Sequence, residues 1–209
     1  MSNAAQERAE AALLPEDDII GILLSQHARI RELFAEVHQS QSDVKRAKFD
    51  ELRALLAVHE VAEEMILRPV AKKEAGEKEA AARNEEEAEA NKVLAELEKM
   101  DLAGSQFELK LAELEKAVRK HADHEERDEF PHLRARCSSE QLQKMGKRLL
   151  MAEKAAPTHP HPTSAGSPAA QWAVGPFASL VDRARDALAA PSGKGLTDTG
   201  PASPGREVR

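Results

Sequence analysis

Apolar residues recur along the chain at alternating steps of three and four, the spacing that lines up side chains on one face of an α-helix. From about Asp17 to Gln39 the stripe reads Ile20, Leu23, His27, Ile30, Phe34 and Val37, with Asp17 and Asp18 suited to a helix start. From about Lys45 to Val70 it reads Phe49, Leu52, Leu56, His59, Glu63, Ile66 and Val70. From about Ser105 to Leu133 it reads Phe107, Leu111, Leu114, Val118, His121 and Glu125. A segment between these, about Glu77 to Met100, has a weaker stripe of Ala80, Arg83, Glu87, Ala90, Leu94 and Leu97 among charge runs of the kind that usually face solvent.

The links between these segments are short: "SQSD" near residue 42, Gly76, and "DLAGS". Short links make consecutive helices antiparallel neighbours. The expected fold is therefore all-α, an up-down-up-down four-helix bundle over residues 16–135, behind a flexible N-terminus at 1–15. Beyond it, "SSEQLQKMGKRLLMAEKAA" predicts an additional helix within 136–156, with Ser138 and Gln141 at capping-box spacing. Residues 157–172 read as a Pro- and His-rich linker. Residues 173–190 read as a short amphipathic helix with Val174, Phe177, Val181, Ala184 and Leu188 on one face. Residues 191–209 have little to bury and are expected to be disordered.

With 41% hydrophobic, 32% charged and 3% aromatic residues, the 209-residue chain has the make-up of one helical domain with tails. A formal net charge of -7 and a pI near 5.7 leave no basic footprint, which argues against a nucleic-acid partner. One cysteine, Cys137, excludes an intramolecular disulfide and any Cys-based zinc or iron–sulfur cluster. The apolar runs are short, so no membrane association is expected. The first 15 residues lack the continuous apolar core of a secretory signal, so the expected location is the cytoplasm. A monomer is the expected state.

Three stripes place polar residues where a core should be. His59 with Glu63, and His121 with Glu125, stand four residues apart, so each pair faces one way, and His27 sits in the first stripe. A buried carboxylate needs a partner, a proton or a metal. Imidazole with carboxylate suits iron, manganese or zinc rather than copper(I), and two such pairs on different helices resemble the way bundles hold two metals with bridging carboxylates. Taken singly, each has a plain reading: a lone histidine in an apolar stripe is more often a satisfied core residue, and a His-x-x-x-Glu pair arises easily in a Glu-rich helix. Their coincidence on three inward stripes is what points to metal. His124 and Asp128 flank the stripe, and His38 and His132 fall at helix ends. His159 and His161 lie in a linker with no preorganised site, and Cys137 lacks an activating neighbour.

Together "LLSQHARIRELF", "VHEVAEEMILRPV" and "VRKHADHEERDEFPHL", with its "FP" after Glu125, resemble the hemerythrin-like, or HHE cation-binding, domains over about residues 17 to 135. The tail "APTHPHPTSAGSP" followed by "GPFASLVDRARDAL" is similar to C-terminal extensions of actinobacterial members. The resemblance implies two non-heme iron ions, Fe2+ or Fe3+, with an oxo or hydroxo bridge, manganese being the alternative. The implied ligands are His27, His59, Glu63, His121 and Glu125, with Glu63 and Glu125 bridging. On the third helix the family's histidine falls on Glu87 in "EAEANKVLAELEKM", with Glu86 next to it. A carboxylate there makes the site harder and more anionic, which favours the ferric state and shifts the expectation from oxygen carriage toward oxidation or peroxide chemistry. The expected function is binding or sensing of O2 or a related small oxidant, peroxide or NO, of the kind met in oxidative stress. Two other readings stay open: a di-iron enzyme with peroxidase, catalase-like or oxidase activity, and a metal-free helical interaction module.

Overall fold

The computed structural model describes residues 3–70, 90–155, 180–182 and 184–186. Glu86, Glu87 and Gly76, the linker at 157–172 and the tail at 191–209 lie outside the described residues. So do Val174, Phe177 and Leu188. Among the described residues the elements are all helical: α1 (Asn3–Ala11), α2 (Ile19–Gln39), α3 (Ser42–Ala62), α4 (residues 90–97), α5 (Ser105–His124), α6 (Phe130–Arg136) and α7 (Ser139–Ala155). None of them is long and apolar enough to cross a membrane.

The inward stripes expected of a bundle are the ones that are buried. Asp18 caps α2, its side chain accepting the Ile20 amide at 2.9 Å. The run that follows, "IIGILL", is apolar on every side because α2 is covered all round: α3 and α5 pack on one side, α1 and α7 on others. Two apolar clusters result. One joins Phe34, Leu52, Leu94, Leu97 and Leu111, with Phe49 and Phe107 edge to face at 5.2 Å. The other joins the start of α2 to the end of α3, α6 and α7 through Leu23, Val61, Leu67, Phe130 and Leu149. His27, His121 and Glu125 lie along the chain between members of the two clusters, and His59 and Glu63 lie among members of the second.

The N-terminus differs from the sequence expectation. Residues expected to be flexible form α1, with Ala4 and Glu7 buried against the bundle. The segment "NAAQERAEA" is rich in strong helix formers, and its inner face is alanine and glutamate, so no apolar stripe announces it. Gly21 permits the approach, since a Cβ there would lie 3.3 Å from Leu14 Cβ.

The capping box at α7 is reciprocal, as its spacing predicts: the Ser138 amide donates to Gln141 Oε1 at 2.8 Å, and the Gln141 amide to Ser138 Oγ at 3.2 Å. α7 then crosses the entry to α2 so closely that a Cβ on Gly146 would fall on the Asp17 carbonyl and within 2.9 Å of the Ile19 nitrogen. The obstacle is backbone, which cannot swing aside. Gly146→Ala is therefore expected to lower stability by about 1–3 kcal/mol despite alanine's better helix propensity, read as a lower denaturation midpoint at unchanged slope. A stabilised variant would show that α7 stands further from α2. At the C-terminal end Leu180 and Ala184 are buried in the two clusters, with Val181 only partly covered. That apolar face is occupied within the chain.

Candidate metal centre

The two His-x-x-x-Glu pairs sit at corresponding breaks in two helices. At Glu63 the helix widens into one π turn, Glu63–Leu67, closed by the Arg68 amide on the Glu63 carbonyl. At Glu125 the same happens over Glu125–Glu129, closed by the Phe130 amide on the Glu125 carbonyl. Such turns are less favourable than α-helix and concentrate at functional sites. Both begin at the carboxylate residue itself, so the backbone irregularity and the polar pair are one feature.

These elements bring five side chains together. His59 Nε2 lies 2.9 Å from Glu63 Oε1, and His121 Nε2 lies 3.3 Å from Glu63 Oε2 and 3.2 Å from Glu125 Oε1. His27 Nε2 lies 3.4 Å from Glu125 Oε2. Each carboxylate thus turns its two oxygens toward different histidines. Glu63, Glu125 and His27 are at most 2% exposed, and potential ligand atoms of His27, His59, Glu63 and Glu125 all fall within 4.8 Å of one another. The outer ring nitrogens are tied down: His27 Nδ1 donates to Glu126 Oε1 and His59 Nδ1 to Gln26 Oε1, both at 2.8 Å. These bonds turn Nε2 of both rings inward, the arrangement that orients a ligating histidine.

Four buried atoms at the centre, His27 Nε2, Glu63 Oε1 and both oxygens of Glu125, make no well-formed hydrogen bond and face only the ion-pair contacts given above. Buried polar atoms are rarely left so. With Nδ1 held by Gln26, His59 turns Nε2 to Glu63 Oε1 at 2.9 Å, two ligand atoms that one cation could share. The donor set fits a cation of the iron, manganese or zinc type.

Protons take that role in the metal-free chain. Burial works against a charged His27, but hydrogen bonds and the charges of Glu125 and Glu126 outweigh it and carry its pKa up to about 9. His121 also rises well above its ordinary value, held by Glu125 and Glu63 against burial. Burial pushes the carboxyls of Glu63 and Glu125 up, yet the facing imidazoles hold both below the usual range. Burial, reinforced by the charge of Glu125, pushes Glu129 at the end of the second π turn to about 7. The raised His27 adds stability that is complete below its ordinary value of 6.5 and lost as pH rises through about 9. The metal-free protein should lose on the order of 3 kcal/mol over that window, at roughly 1.4 kcal/mol for each pH unit between the two values. A form in which a cation occupied His27 Nε2 in place of the proton would lack this slope. Thermal melts of both forms from pH 6 to about 10 check it, and parallel curves would count against the assignment.

Above the centre lies a cavity of about 60 Å³, walled by Ile30, Phe34, Leu56, Leu94, Leu114 and Val118 and floored by His27, His59, Glu63 and His121. That is room for a molecule of a few atoms, since one water needs only about 10–15 Å³ measured this way.

The sequence profile of the hemerythrin HHE cation binding domain matches residues 18–133. The chain belongs to this family. A hemerythrin-like protein of Schizosaccharomyces pombe is 33% identical over 136 residues, covering 64% of this chain and 67% of that one. No solved structure matches. As a hemerythrin HHE domain the chain has a cation-binding fold, and its matched segment contains all five clustered residues. Of the residues anticipated from sequence, His27, His59, Glu63, His121 and Glu125 come together, while Glu87 falls outside the described residues. His38 lies between Glu108 and Glu115 at 2.9 and 3.3 Å, away from the cluster, and His132 bonds its own helix at Asp128. Gln26, Glu126 and Glu129 were not anticipated. Gln26 and Glu126 each adjoin a candidate ligand in sequence, the one local sign they carry.

Proposed function

We propose that this hemerythrin HHE domain holds two iron ions between His27, His59, Glu63, His121 and Glu125, with Glu63 and Glu125 bridging, and binds or senses O2 or a related small oxidant. The observation that carries the reading is the buried cluster of inward atoms on Glu63, Glu125 and His27 that face only one another and the other imidazoles, with Glu63 and His27 also lining a largely apolar cavity of few-atom size. Iron supplies the one-electron and oxygen chemistry that side chains lack. The chain's own groups do the rest. Glu126 and Gln26 fix the two imidazoles, the apolar wall excludes water, and Arg68 Nη2, 4.0 Å from Glu63 Oε2, offsets part of the negative charge. Glu87, outside the described residues, is proposed as a sixth ligand because it stands in the sequence where the family's third-helix histidine falls.

A second reading, a di-iron enzyme acting on peroxide, is favoured by Glu60. Burial holds its carboxyl above the usual range, it lines the same cavity, and Asn91 Nδ2 donates to it at 2.7 Å. It could hand a proton to a bound oxidant. Anaerobic loading with iron(II), followed by elemental analysis and visible spectra before and after oxygen, tests both. Two irons per chain and a spectrum that changes with oxygen support the proposal, and steady oxygen release from peroxide supports the enzyme. A chain that retains no metal overturns both. Glu87→Ala with unchanged iron content and spectrum would remove Glu87 from the ligand set.

A further inference from the structure

The family profile begins at residue 18, yet α1 reaches the candidate centre from outside it. Glu7 is 2% exposed on a helix whose other side chains, Ala4 apart, are largely open to solvent. Its Oε1 accepts from Arg31 Nε at 2.5 Å. Arg31, itself buried on α2, donates through Nη2 to Asp123 at 2.9 Å and stands 3.8 Å from Glu126 Oε1. Glu126 in turn accepts from His27 Nδ1. Glu7, His27 and Glu126 offer atoms that all lie within 4.8 Å of one another.

A surface helix seeking only stability would bury an apolar residue at this position, since a buried ion pair gains little over a hydrophobic one. α1 already has another anchor in the bidentate pair of Arg8 with Glu32, at 3.0 and 2.7 Å. What Glu7 adds is a fixed Arg31 and, through that guanidinium and its own contact with Glu126, a fixed Glu126.

We propose that α1 is part of the metal centre, with Glu7 a positioning residue that acts through Arg31 and Glu126 to keep the His27 imidazole aimed at Glu125. The proposal rests on the metal reading above. It predicts that α1 governs retention of one ion, the one on the His27 side, while the ion on the His59 side is left alone.

The test is release of iron from the full-length loaded protein to a ferrous chelator, followed together with its visible spectrum and the melting temperature of the metal-free form. Glu7→Ala should release one of two irons with affinity reduced roughly 10- to 100-fold, the usual effect of removing such an outer partner. Glu7→Gln, which still accepts from Arg31, should stay within about threefold of wild type. Arg8→Ala cuts the other anchor and should lower the melting temperature without changing retention or spectrum. If Glu7→Ala does not fold, Glu7→Met fills the same space without a carboxylate and carries the same expectation. Equal retention in wild type and Glu7→Ala (or Glu7→Met) overturns the proposal while leaving the metal centre standing. So does equal loss of iron in Arg8→Ala and Glu7→Ala. A wild-type chain that holds no iron removes the metal reading first, and this proposal with it.

Discussion

Replacing Glu63 by glutamine should leave at most one iron per chain, whereas the same change at its neighbour Glu64 should leave two. Glu63 is 1% exposed and presents Oε1 to His59 and Oε2 to His121, from two different helices, so one substitution removes the anion facing both rings. Glu64 points outward and pairs with Arg185 at 2.9 Å. The amide keeps the volume and one acceptor of the carboxylate, so the core does not open a void. It cannot provide two anionic oxygens to hard cations, and a loss of more than about 100-fold in affinity is expected, beyond the usual effect of an outer partner. Without Glu63, His121 loses one of the two carboxylates that hold it charged, and Glu125 loses a repelling neighbour. These two changes oppose each other in the metal-free protein, whose stability should move by less than its metal content does. Elemental analysis and the visible spectrum read the first effect, a denaturation curve the second. Two irons retained in Glu63→Gln with an unaltered spectrum would place the bridging group elsewhere.

The features legible in the sequence are those set by helical periodicity. The stripes through Phe34, Leu52 and Leu111 are the buried ones, and His59 with Glu63 or His121 with Glu125 needs only a spacing of four to share a face. The Ser138 and Gln141 box is local in the same sense. What escaped depends on contacts between distant segments. Gln26 serves His59 from 33 residues away and Glu126 serves His27 from 99 away, so neither partner can be read from spacing. The π turns at Glu63 and Glu125 follow from where each carbonyl finds its donor, a choice made by packing on both sides of the turn. α1 was missed because its inward residues are Ala4 and Glu7, which carry no hydrophobic signal. In the C-terminal segment Ala184 of the expected face is buried and Val181 partly so, while Leu180 beside them is buried as well, a neighbour that so short an apolar run does not single out.

Phe34→Ala should separate the cavity from the metals beneath it. Phe34 is fully buried on α2, seven residues and so two turns from His27, and its ring belongs both to the upper apolar cluster and to the wall of the 60 Å³ cavity. Truncating a buried phenylalanine lowers stability by about 3–5 kcal/mol, combining lost transfer free energy with the void left behind. Against a total of about 5–15 kcal/mol for a domain, the metal-free variant should sit near its unfolding threshold at 37 °C. On the proposed function iron binds the folded site alone, so a metal at about 1,000 times its dissociation constant should restore about 4 kcal/mol. The expected outcome is a variant that melts early without iron, approaches wild type with it, and still holds two ions, because Phe34 is not among the clustered ligand groups. Its enlarged cavity should admit oxidants faster and accept ligands too bulky for the parent, with the rate of spectral change as the measure. Phe34→Leu, which keeps most of the volume, should show the same trends at about a third of the size. An unchanged rate in a variant of proven lower stability would mean that small molecules reach the site by a path that does not pass Phe34.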